Sequence, residues 1–257
     1  MSKVLVIPDV HQQTETLDLI AGEFDECVML GDYVDHWESG TWWDDENRNP
    51  IAILERIHSL KEKYGDRIHV LLGNHDLTYL SLGNLNEAER FLATSVSGHQ
   101  KKHEVEIASK MDEVSDMFEI ACEIDGIVYS HAGFSKTWAD AARKTQKKDD
   151  HGTIDLANGL LLNRKTKRGA KRLHELLDHC SFSPSGNSRF EGPLWIRPEA
   201  LLNDILFKKQ IVGHTEYDNP TIHYGWNDDT FVFVADTREH LIPTWVNNGE
   251  ILGRNPE

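Results

Sequence analysis

Short apolar segments, most of them followed at once by Asp, His or Asn, recur along this sequence of 257 residues and constrain its fold more than any other feature. Each segment is rich in Val, Ile and Leu and is bounded by Gly, Asp or Pro, which is typical of a buried strand. They occupy residues 3–7, 27–30, 68–72, 127–130, 210–212 and 231–235. Helical patterns lie between them, at residues 14–21, 50–64, 86–93, within 103–120, 173–179 and 198–207. Strands that alternate with helices predict an α/β fold.

Five of the predicted strands end in side chains that can bind a cation. These are, in chain order, Asp9 and His11, then Asp32 and Asp35, then Asn74 and His75, then His131, and finally His214. The carboxyl ends of the strands form the ligand-binding edge of an open α/β sheet, so we expect these side chains to meet. Each motif alone is weak, and only their joint occurrence in order indicates a site.

The donor set indicates the kind of metal centre. Imidazole, carboxylate and amide oxygen together suit Mn²⁺, Fe or Zn²⁺ better than Mg²⁺ or Ca²⁺, which prefer oxygen alone. Six donors are too many for one tetrahedral site, but they suit two metal ions about 3.5–4 Å apart. The six are Asp9, His11, Asp32, Asn74, His131 and His214.

Composition excludes several classes of protein. No stretch approaches the ~20 apolar residues that cross a bilayer, so we expect no membrane association. The first twelve residues turn polar early, which favours a first strand over a secretory signal. Three cysteines, an odd number without metal-like spacing, argue against a disulfide scaffold and favour a cytoplasmic location.

Two stretches interrupt the alternation of strands and helices. Residues 77–125 read as mostly helical and polar, and residues 134–197 contain a basic segment. We interpret both as helical insertions that cap a single domain spanning residues 1–257. Within a chain of net charge −16, residues 134–180 carry eleven Lys and Arg against six Asp and Glu. Such an island could attract an anionic partner, although a solvated helix face is the favoured interpretation.

The motifs DVH, GDYVD, GNHD, SHAG and GHT, in this order, resemble those of the calcineurin-like metallophosphoesterase superfamily. The nearest branch holds the serine/threonine phosphoprotein phosphatases and the symmetrical dinucleoside tetraphosphatases. The resemblance extends from residue 4 to about residue 237, with the insertions unmatched. It implies a four-layer α/β/β/α sandwich with two metal ions between the sheet edges.

The resemblance also implies a role for each site residue. Asp9 and His11 would bind the first metal, and Asp32 would bridge both. The ligands of the second metal would be Asn74, His131 and His214. His75 and Asp35 would form the catalytic pair, with His75 as the general acid and Asp35 as the carboxylate that holds it. A hydroxide that bridges the two metals would be the nucleophile. A histidine kept cationic by a carboxylate is a competent acid near neutral pH.

The chain departs from the family pattern at three places. His36 and Trp37 replace the usual Arg-Gly after Asp35, which removes a phosphate-clamping arginine that a histidine does not copy. Glu216 replaces the second His of a Gly-His-X-His motif, which favours the phosphatase branch, although Glu216 could reach the first metal. The segment from Trp195 to Arg197 resembles a Trp-X-Arg segment that some bacterial members place over the phosphate.

These departures leave the substrate-binding residues open. Arg197 is the candidate for the remaining clamp, equally balanced against an exposed residue that opens a helix. His36 is a weaker substrate-binding candidate, and a loop role is favoured for it. The tryptophans Trp37, Trp42 and Trp43 could stack on a ring, but packing of a loop onto the core is favoured.

The leading interpretation is a cytoplasmic dinuclear metal-dependent phosphatase that cleaves phosphomonoesters, with Mn²⁺ as the first choice of metal and Fe or Zn²⁺ as alternatives. The phosphorylated substrate would be a phosphoprotein, a nucleotide or a nucleic-acid end. The first alternative is therefore a nucleotide or nucleic-acid-end phosphatase or a dinucleoside polyphosphate hydrolase. A non-catalytic binding module that retains the fold is the alternative from another class, and the intact donor set with His75 argues against it. The sequence does not indicate the oligomeric state.

Overall fold

The structure is a computed structural model. It describes residues 2–20, 23–36, 43, 45, 48–146, 152–177, 185–225, 229–237, 243–247 and 249–253. Within these ranges no helix is both long and apolar enough to span a bilayer.

Six strands of the described residues form the first sheet. They are β1 (Lys3–Ile7), β2 (Glu26–Met29), β3 (Ile68–Leu71), β4 (Phe118–Glu119), β10 (Thr244–Asn247) and β11 (Glu250–Gly253). Their order is β11-β10-β1-β2-β3-β4. The run from β1 to β4 is parallel, whereas β10 pairs antiparallel with β1. The carboxyl ends of β1, β2 and β3 therefore lie at one edge.

The second sheet contains five strands of the described part of the chain. They are β5 (Ala121–Ile124), β6 (Ile127–Ser130), β7 (Lys209–Val212), β8 (Thr221–Tyr224) and β9 (Phe231–Val234). The order is β5-β6-β7-β9-β8, with β6, β7 and β9 parallel. This arrangement brings the ends of β6 and β7 together.

The helices follow the strands in the alternation that the sequence predicts. They are α1 (Glu15–Asp18), α2 (Pro50–Tyr64), α3 (Asn74–Leu77), α4 (Glu87–Ala93), α5 (Glu104–Val114), α6 (Lys136–Gln146), α7 (Thr153–Leu162), α8 (Lys167–Leu177) and α9 (Pro198–Leu202). Short 3₁₀ turns occupy Gly65–Arg67, Leu82–Asn84 and Ser115–Met117. Pro50 occupies the first turn of α2, where its missing N–H costs no hydrogen bond.

Alternation of side chains along the strands produces the four layers. On β1, Leu5 and Ile7 face a core shared with helices such as α2, α5 and α7, whereas Val4 and Val6 face the second sheet. A third apolar cluster, which includes Leu201 of α9, covers the other face of the second sheet. The fold is thus the α/β/β/α sandwich that the sequence predicts, with helices outside two packed sheets.

Several predicted boundaries need correction. Residues 77–125 are not simply helical, because they also contain β4 and β5, one in each sheet. The helix predicted at 173–179 begins earlier, at Lys167, and the helix predicted at 198–207 ends at Leu202. Helix α1 is shorter than the predicted 14–21, and residue 21 lies outside the described residues.

One asparagine of the second insertion supports the point where the chain passes between the sheets. β4 ends at Glu119 in the first sheet, and β5 begins at Ala121 in the second. Asn158 of α7 accepts hydrogen bonds from the backbone N–H of Ile120 at 2.7 Å and of Ala121 at 3.2 Å. Its amide donates to the Ala121 carbonyl at 2.9 Å. The insertion therefore satisfies the buried backbone groups that the change of sheet exposes.

We expect Asn158→Ala to lower the free energy of unfolding by about 1–3 kcal/mol for each buried N–H that loses its acceptor. Ile120 and Ala121 are fully buried, so water does not replace the lost acceptor. Denaturant unfolding measures the change. Asn163→Ala is the matched control, because Asn163 is exposed on the following turn and its side chain donates to the Gly159 carbonyl of its own helix. Equal stabilities of the two variants would contradict this role.

Candidate active site

Loops from both sheets converge at one place. The loop after β1 hydrogen-bonds to the loop after β2 through His11 N and the Asp32 carbonyl, at 2.7 Å. The loops after β6 and β7 are joined through Gly213 N and the His131 carbonyl, at 2.8 Å. The backbone N–H of His214 then donates to Asp9 Oδ2 at 2.9 Å, which connects the two sheets. The structure therefore brings together the side chains that follow the five predicted strands.

The Asp32 carboxylate lies in the middle of the six donors. Its Oδ2 is 3.8 Å from His11 Nε2 and 3.5 Å from His131 Nε2. Ligand atoms of Asp9, His11 and Asp32 all lie within 4.8 Å of one another and are buried. Asp32 occupies the position between two groups of donors that a bridging carboxylate requires.

Asn74 lies in the second of these groups. Its Oδ1 is 2.8 Å from His131 Nε2 and 3.1 Å from His214 Nδ1.

Backbone carbonyls fix the proton on two of the imidazoles. His11 Nδ1 lies 2.9 Å from the Asp35 carbonyl, and His131 Nδ1 lies 2.9 Å from the Leu30 carbonyl. A carbonyl oxygen only accepts, so each Nδ1 carries the proton and each Nε2 presents its lone pair towards Asp32. Such hydrogen bonds orient histidines that bind metals.

Three of the donors have a left-handed backbone, which disfavours residues other than glycine. The φ angles are 40° at His11, 52° at Asp32 and 62° at His214. Each costs of the order of 1–3 kcal/mol, and such strain clusters at functional sites. Asp32 also requires glycine nearby, because a Cβ on Gly73 would lie 2.1 Å from Asp32 Oδ1.

Protonation states at the site suit cation binding. Burial lowers the pKa of His11, of His131 and of His214, which keeps these rings neutral. Burial raises the pKa of Asp32, but the positive charge that the surrounding imidazoles carry when protonated, led by His131 and followed by His75, outweighs burial and lowers the pKa to about 2. Burial and the charges of three nearby carboxylates, led by Asp236, raise the pKa of Asp9 well above its usual value. Neutral imidazoles and a crowded carboxylate are the forms that a divalent cation stabilises.

Two orphaned atoms test whether a metal fits. Asp9 Oδ1 and His214 Nε2 are buried and have no hydrogen-bond partner among the described residues. A buried polar atom without a partner is costly, and coordination of a cation would satisfy both atoms. The residues present therefore fit a metal centre of nitrogen and oxygen ligands.

His75 and Asp35 form an ion pair beside the donors. His75 Nδ1 lies 3.1 Å from Asp35 Oδ2, and the backbone N–H of His75 donates to Asp32 Oδ1 at 2.9 Å. Burial lowers the pKa of His75, but the charge of Asp32 and the hydrogen bond to Asp35 outweigh burial and raise it to about 9. The ring is therefore cationic at neutral pH.

Asp76 is a site residue to which the sequence analysis assigned no role. Its carboxylate accepts hydrogen bonds from the backbone N–H groups of Asp32 at 2.8 Å, Tyr33 at 2.8 Å and Gly73 at 2.9 Å. Burial and the charge of Asp32 raise its pKa to about 7. An acidic residue in the first turn of a helix was the available signal, because it caps free N–H groups.

The loop that holds Arg197 is closely packed. Arg197 Nε donates to the Ser185 carbonyl at 2.9 Å, and its backbone N–H donates to the Gly186 carbonyl at 2.7 Å. Gly186 has a φ of +78°, and a Cβ there would lie 2.3 Å from Arg197 Cγ. Burial, the adjacent imidazole of His131 and then the charge of Arg197 lower the pKa of His214. The positive charge of Arg197 therefore contributes to keeping the His214 ring neutral.

The remaining candidates of the sequence analysis are His36 and the three tryptophans. His36 is half-buried, and its carbonyl lies against Gly98. Trp43 stacks on His103 with ring centroids 3.6 Å apart and packs on the core, as the favoured interpretation predicts. Trp37 and Trp42 lie outside the described residues.

The chain matches the family model of the calcineurin-like phosphoesterases over residues 2–216. The chain belongs to this family and is an enzyme, a metal-dependent phosphoric ester hydrolase.

Solved structures with the same fold include a cold-active protein-tyrosine phosphatase of the psychrophile Shewanella sp.. It is 20% identical, with a TM-score of 0.60, over 98% of this chain and 77% of that one. A protein serine/threonine phosphatase from Saccharomyces cerevisiae, similar to human phosphatase PP5, is 14% identical over 99% of this chain and 76% of that one, with a TM-score of 0.50. No curated protein sequence matches the chain.

We expect Asp32→Asn to bind fewer Mn²⁺ ions than the wild type, because the charged oxygen between His11 and His131 is replaced by a neutral amide. Elemental analysis after equilibrium dialysis measures the ratio of metal to protein. Asp66→Asn is the control, since Asp66 is exposed on a 3₁₀ turn away from the donors. Full metal content in Asp32→Asn would exclude Asp32 as a bridging ligand.

Proposed function

We propose that the chain is a dinuclear phosphomonoester phosphatase in which His75 protonates the leaving oxygen. The observation that carries the proposal is the His75–Asp35 ion pair, which is joined to the donor cluster through the 2.9 Å hydrogen bond from His75 N to Asp32 Oδ1. A cationic imidazole next to a cation site can donate a proton to a poor leaving group.

The residues that would hold the two metals follow from the donor geometry. Asp9, His11 and Asp32 would bind one cation, and Asp32 would share the other with the remaining donors, Asn74, His131 and His214. Mn²⁺ is the cation that we propose, in view of the mixed nitrogen and oxygen donors. When bound, the cations supply Lewis-acid activation of water and of the phosphoryl group.

The proton of the leaving group would come from His75 Nε2. His75 Nδ1 faces Asp35 Oδ2, so in the cationic ring the proton on Nδ1 is held by the carboxylate. The proton on Nε2 is then the one that passes to the leaving oxygen. Asp35 does not touch the substrate and acts by orienting the ring and keeping it charged.

Arg197 would bind the phosphate dianion. Its Nε donates to the Ser185 carbonyl, and the two terminal nitrogens of the guanidinium would contact the phosphate. A guanidinium neutralises charge and contacts two phosphate oxygens at once, which the imidazole of His36 cannot do.

The basic segment argues against a nucleic-acid substrate. Arg164 and Lys165 pair with Asp116, and Lys171 pairs with Glu89 and Glu175. These cations neutralise the protein's own carboxylates, as on a solvated helix face, and they attract a polyanion less strongly than isolated charges would. A phosphorylated protein or small monoester is therefore favoured over a nucleic-acid end.

A hydrolysis panel with Mn²⁺ tests this function. We expect release of phosphate from p-nitrophenyl phosphate and from a phosphopeptide, and little turnover of bis-p-nitrophenyl phosphate, because the diester lacks the dianion that Arg197 would bind. Diadenosine tetraphosphate and a 3′-phosphorylated oligonucleotide represent the alternative substrates. Preference for the diester or for diadenosine tetraphosphate would contradict the proposal.

We expect Arg197→Ala to raise both KM for p-nitrophenyl phosphate and the inhibition constant for inorganic phosphate by about 10- to 100-fold, since hydrogen bonds to charged groups contribute about 1.5–3 kcal/mol. Metal content should not change. Arg197→Lys should recover only part of the loss, because an ammonium does not make the paired contact. Arg189→Ala removes an exposed arginine of the same loop and serves as the control. Unchanged inhibition by phosphate in Arg197→Ala would rule out the clamp.

A further inference from the structure

We propose that Tyr79 is a positioning residue for the general acid: its hydroxyl fixes the Asp35 carboxylate that orients the His75 ring. The proposal rests on the function proposed above for His75. It assigns a role in the reaction to a residue of the first insertion that acts through Asp35.

The two oxygens of Asp35 have different partners. Oδ2 lies 3.1 Å from His75 Nδ1, and Oδ1 accepts a hydrogen bond of 2.7 Å from the Tyr79 hydroxyl. Asp35 is 1% exposed and Tyr79 is fully buried, so water does not compete for either oxygen. Because a carboxylate is planar, fixing Oδ1 also fixes the direction in which Oδ2 meets the imidazole.

The direction of the Tyr79 hydrogen bond follows from a third residue. The backbone N–H of Gln100 lies 2.6 Å from the Tyr79 oxygen, and an amide N–H only donates. The Tyr79 oxygen therefore accepts from Gln100, and its own proton is directed to Asp35. A donor whose oxygen already accepts a hydrogen bond is a stronger donor, so the contact with Asp35 is reinforced.

The ring of Tyr79 is itself held in place by the first insertion. His99 stacks on it with ring centroids 4.5 Å apart, and His99 Nε2 lies 3.0 Å from Glu104 Oε2 at the start of α5. The side chain of Gln100 donates to the Val34 carbonyl at 2.7 Å and approaches Asp35 Oδ1 at 3.4 Å. Contacts from residues 99–104 thus hold Tyr79 and Asp35 in place beside His75.

A positioning role and a purely structural role predict different kinetics. If Tyr79 only stabilises the core, its loss lowers the amount of folded enzyme and affects all substrates alike. If it positions the acid through Asp35, its loss affects only substrates whose leaving oxygen needs a proton. Ethyl phosphate needs that proton, whereas p-nitrophenolate leaves without one, so the ratio of the two kcat values isolates the role.

The test compares Tyr79→Phe with His75→Asn in the Mn²⁺-loaded enzyme. We expect His75→Asn to lower kcat for ethyl phosphate by about 10²–10⁴-fold and to have little effect on p-nitrophenyl phosphate. Tyr79→Phe should lower kcat for ethyl phosphate by about 10-fold, the usual loss for a partner that orients a functional group, and leave KM and p-nitrophenyl phosphate turnover unchanged.

Three further variants complete the experiment. Tyr64→Phe is the matched control, because the Tyr64 hydroxyl donates to the Ile20 carbonyl at 3.4 Å and not to Asp35, and both kcat values should be retained. In Asp35→Ala, adding Tyr79→Phe should cause no additional loss in kcat, since the side chain that Tyr79 orients is gone. Gln100→Ala keeps the backbone N–H that donates to Tyr79 and removes a second donor to Asp35 Oδ1. It should lower kcat for ethyl phosphate less than Tyr79→Phe does and should likewise leave kcat for p-nitrophenyl phosphate unchanged.

The outcomes separate the two proposals. Equal losses on both substrates in Tyr79→Phe, or additive losses in the double variant, would overturn the positioning role while leaving His75 as the acid. An equal loss on both substrates in His75→Asn would overturn the general acid itself and the role of Tyr79 with it. If Tyr79→Phe does not fold, absence of selectivity in Gln100→Ala would overturn the proposal.

Discussion

The carboxylate of Asp76 accepts hydrogen bonds from three backbone amides, and the arrangement of the active-site loops depends on it. Two of these amides, Asp32 and Tyr33, belong to the loop after β2, and the third, Gly73, belongs to the loop after β3. One buried carboxyl group therefore joins the two neighbouring loops. The contact with Asp32 N directs the backbone of that residue before any cation is present.

Asp32 is held at both ends in consequence. Its backbone N–H is bound by Asp76, and its Oδ1 accepts from His75 N, so its Oδ2 is left between His11 and His131. This arrangement requires a left-handed backbone at Asp32, which is strained, and a glycine at position 73, which lets Asp32 approach closely. Such strain persists only where the surrounding structure holds the residue in place, as the hydrogen bonds of these loops do.

The sequence predicts the alternation of strands and helices and the six donors because those signals are local, whereas the four layers are implied by the family resemblance. Residues such as Val4 and Leu5 alternate between two cores, and a strand followed by Asp, His or Asn is visible within ten residues. The start of α8 is not predicted, because its first residues, Lys167 and Arg168, are polar and give no apolar periodicity. β4 is not predicted, because two residues are too few to show an alternating pattern. The role of Tyr79 depends on Asp35, which is 44 residues away, so no local pattern reveals it.

The topology also determines when this enzyme can begin to work. β1 precedes β2 and β10 in the chain and is made before them, yet it lies inside its sheet, between β2 and the late strand β10. Asp9, just after β1, meets its partner His214 only after 205 further residues have been joined. Until then the nascent chain carries five of the six donors. The edge of β1 that pairs with β10 stays open longer still, and an unpaired strand edge is a template for association with other chains. We therefore expect the free edge of β1 to need protection from association with other chains until β10 has been synthesised.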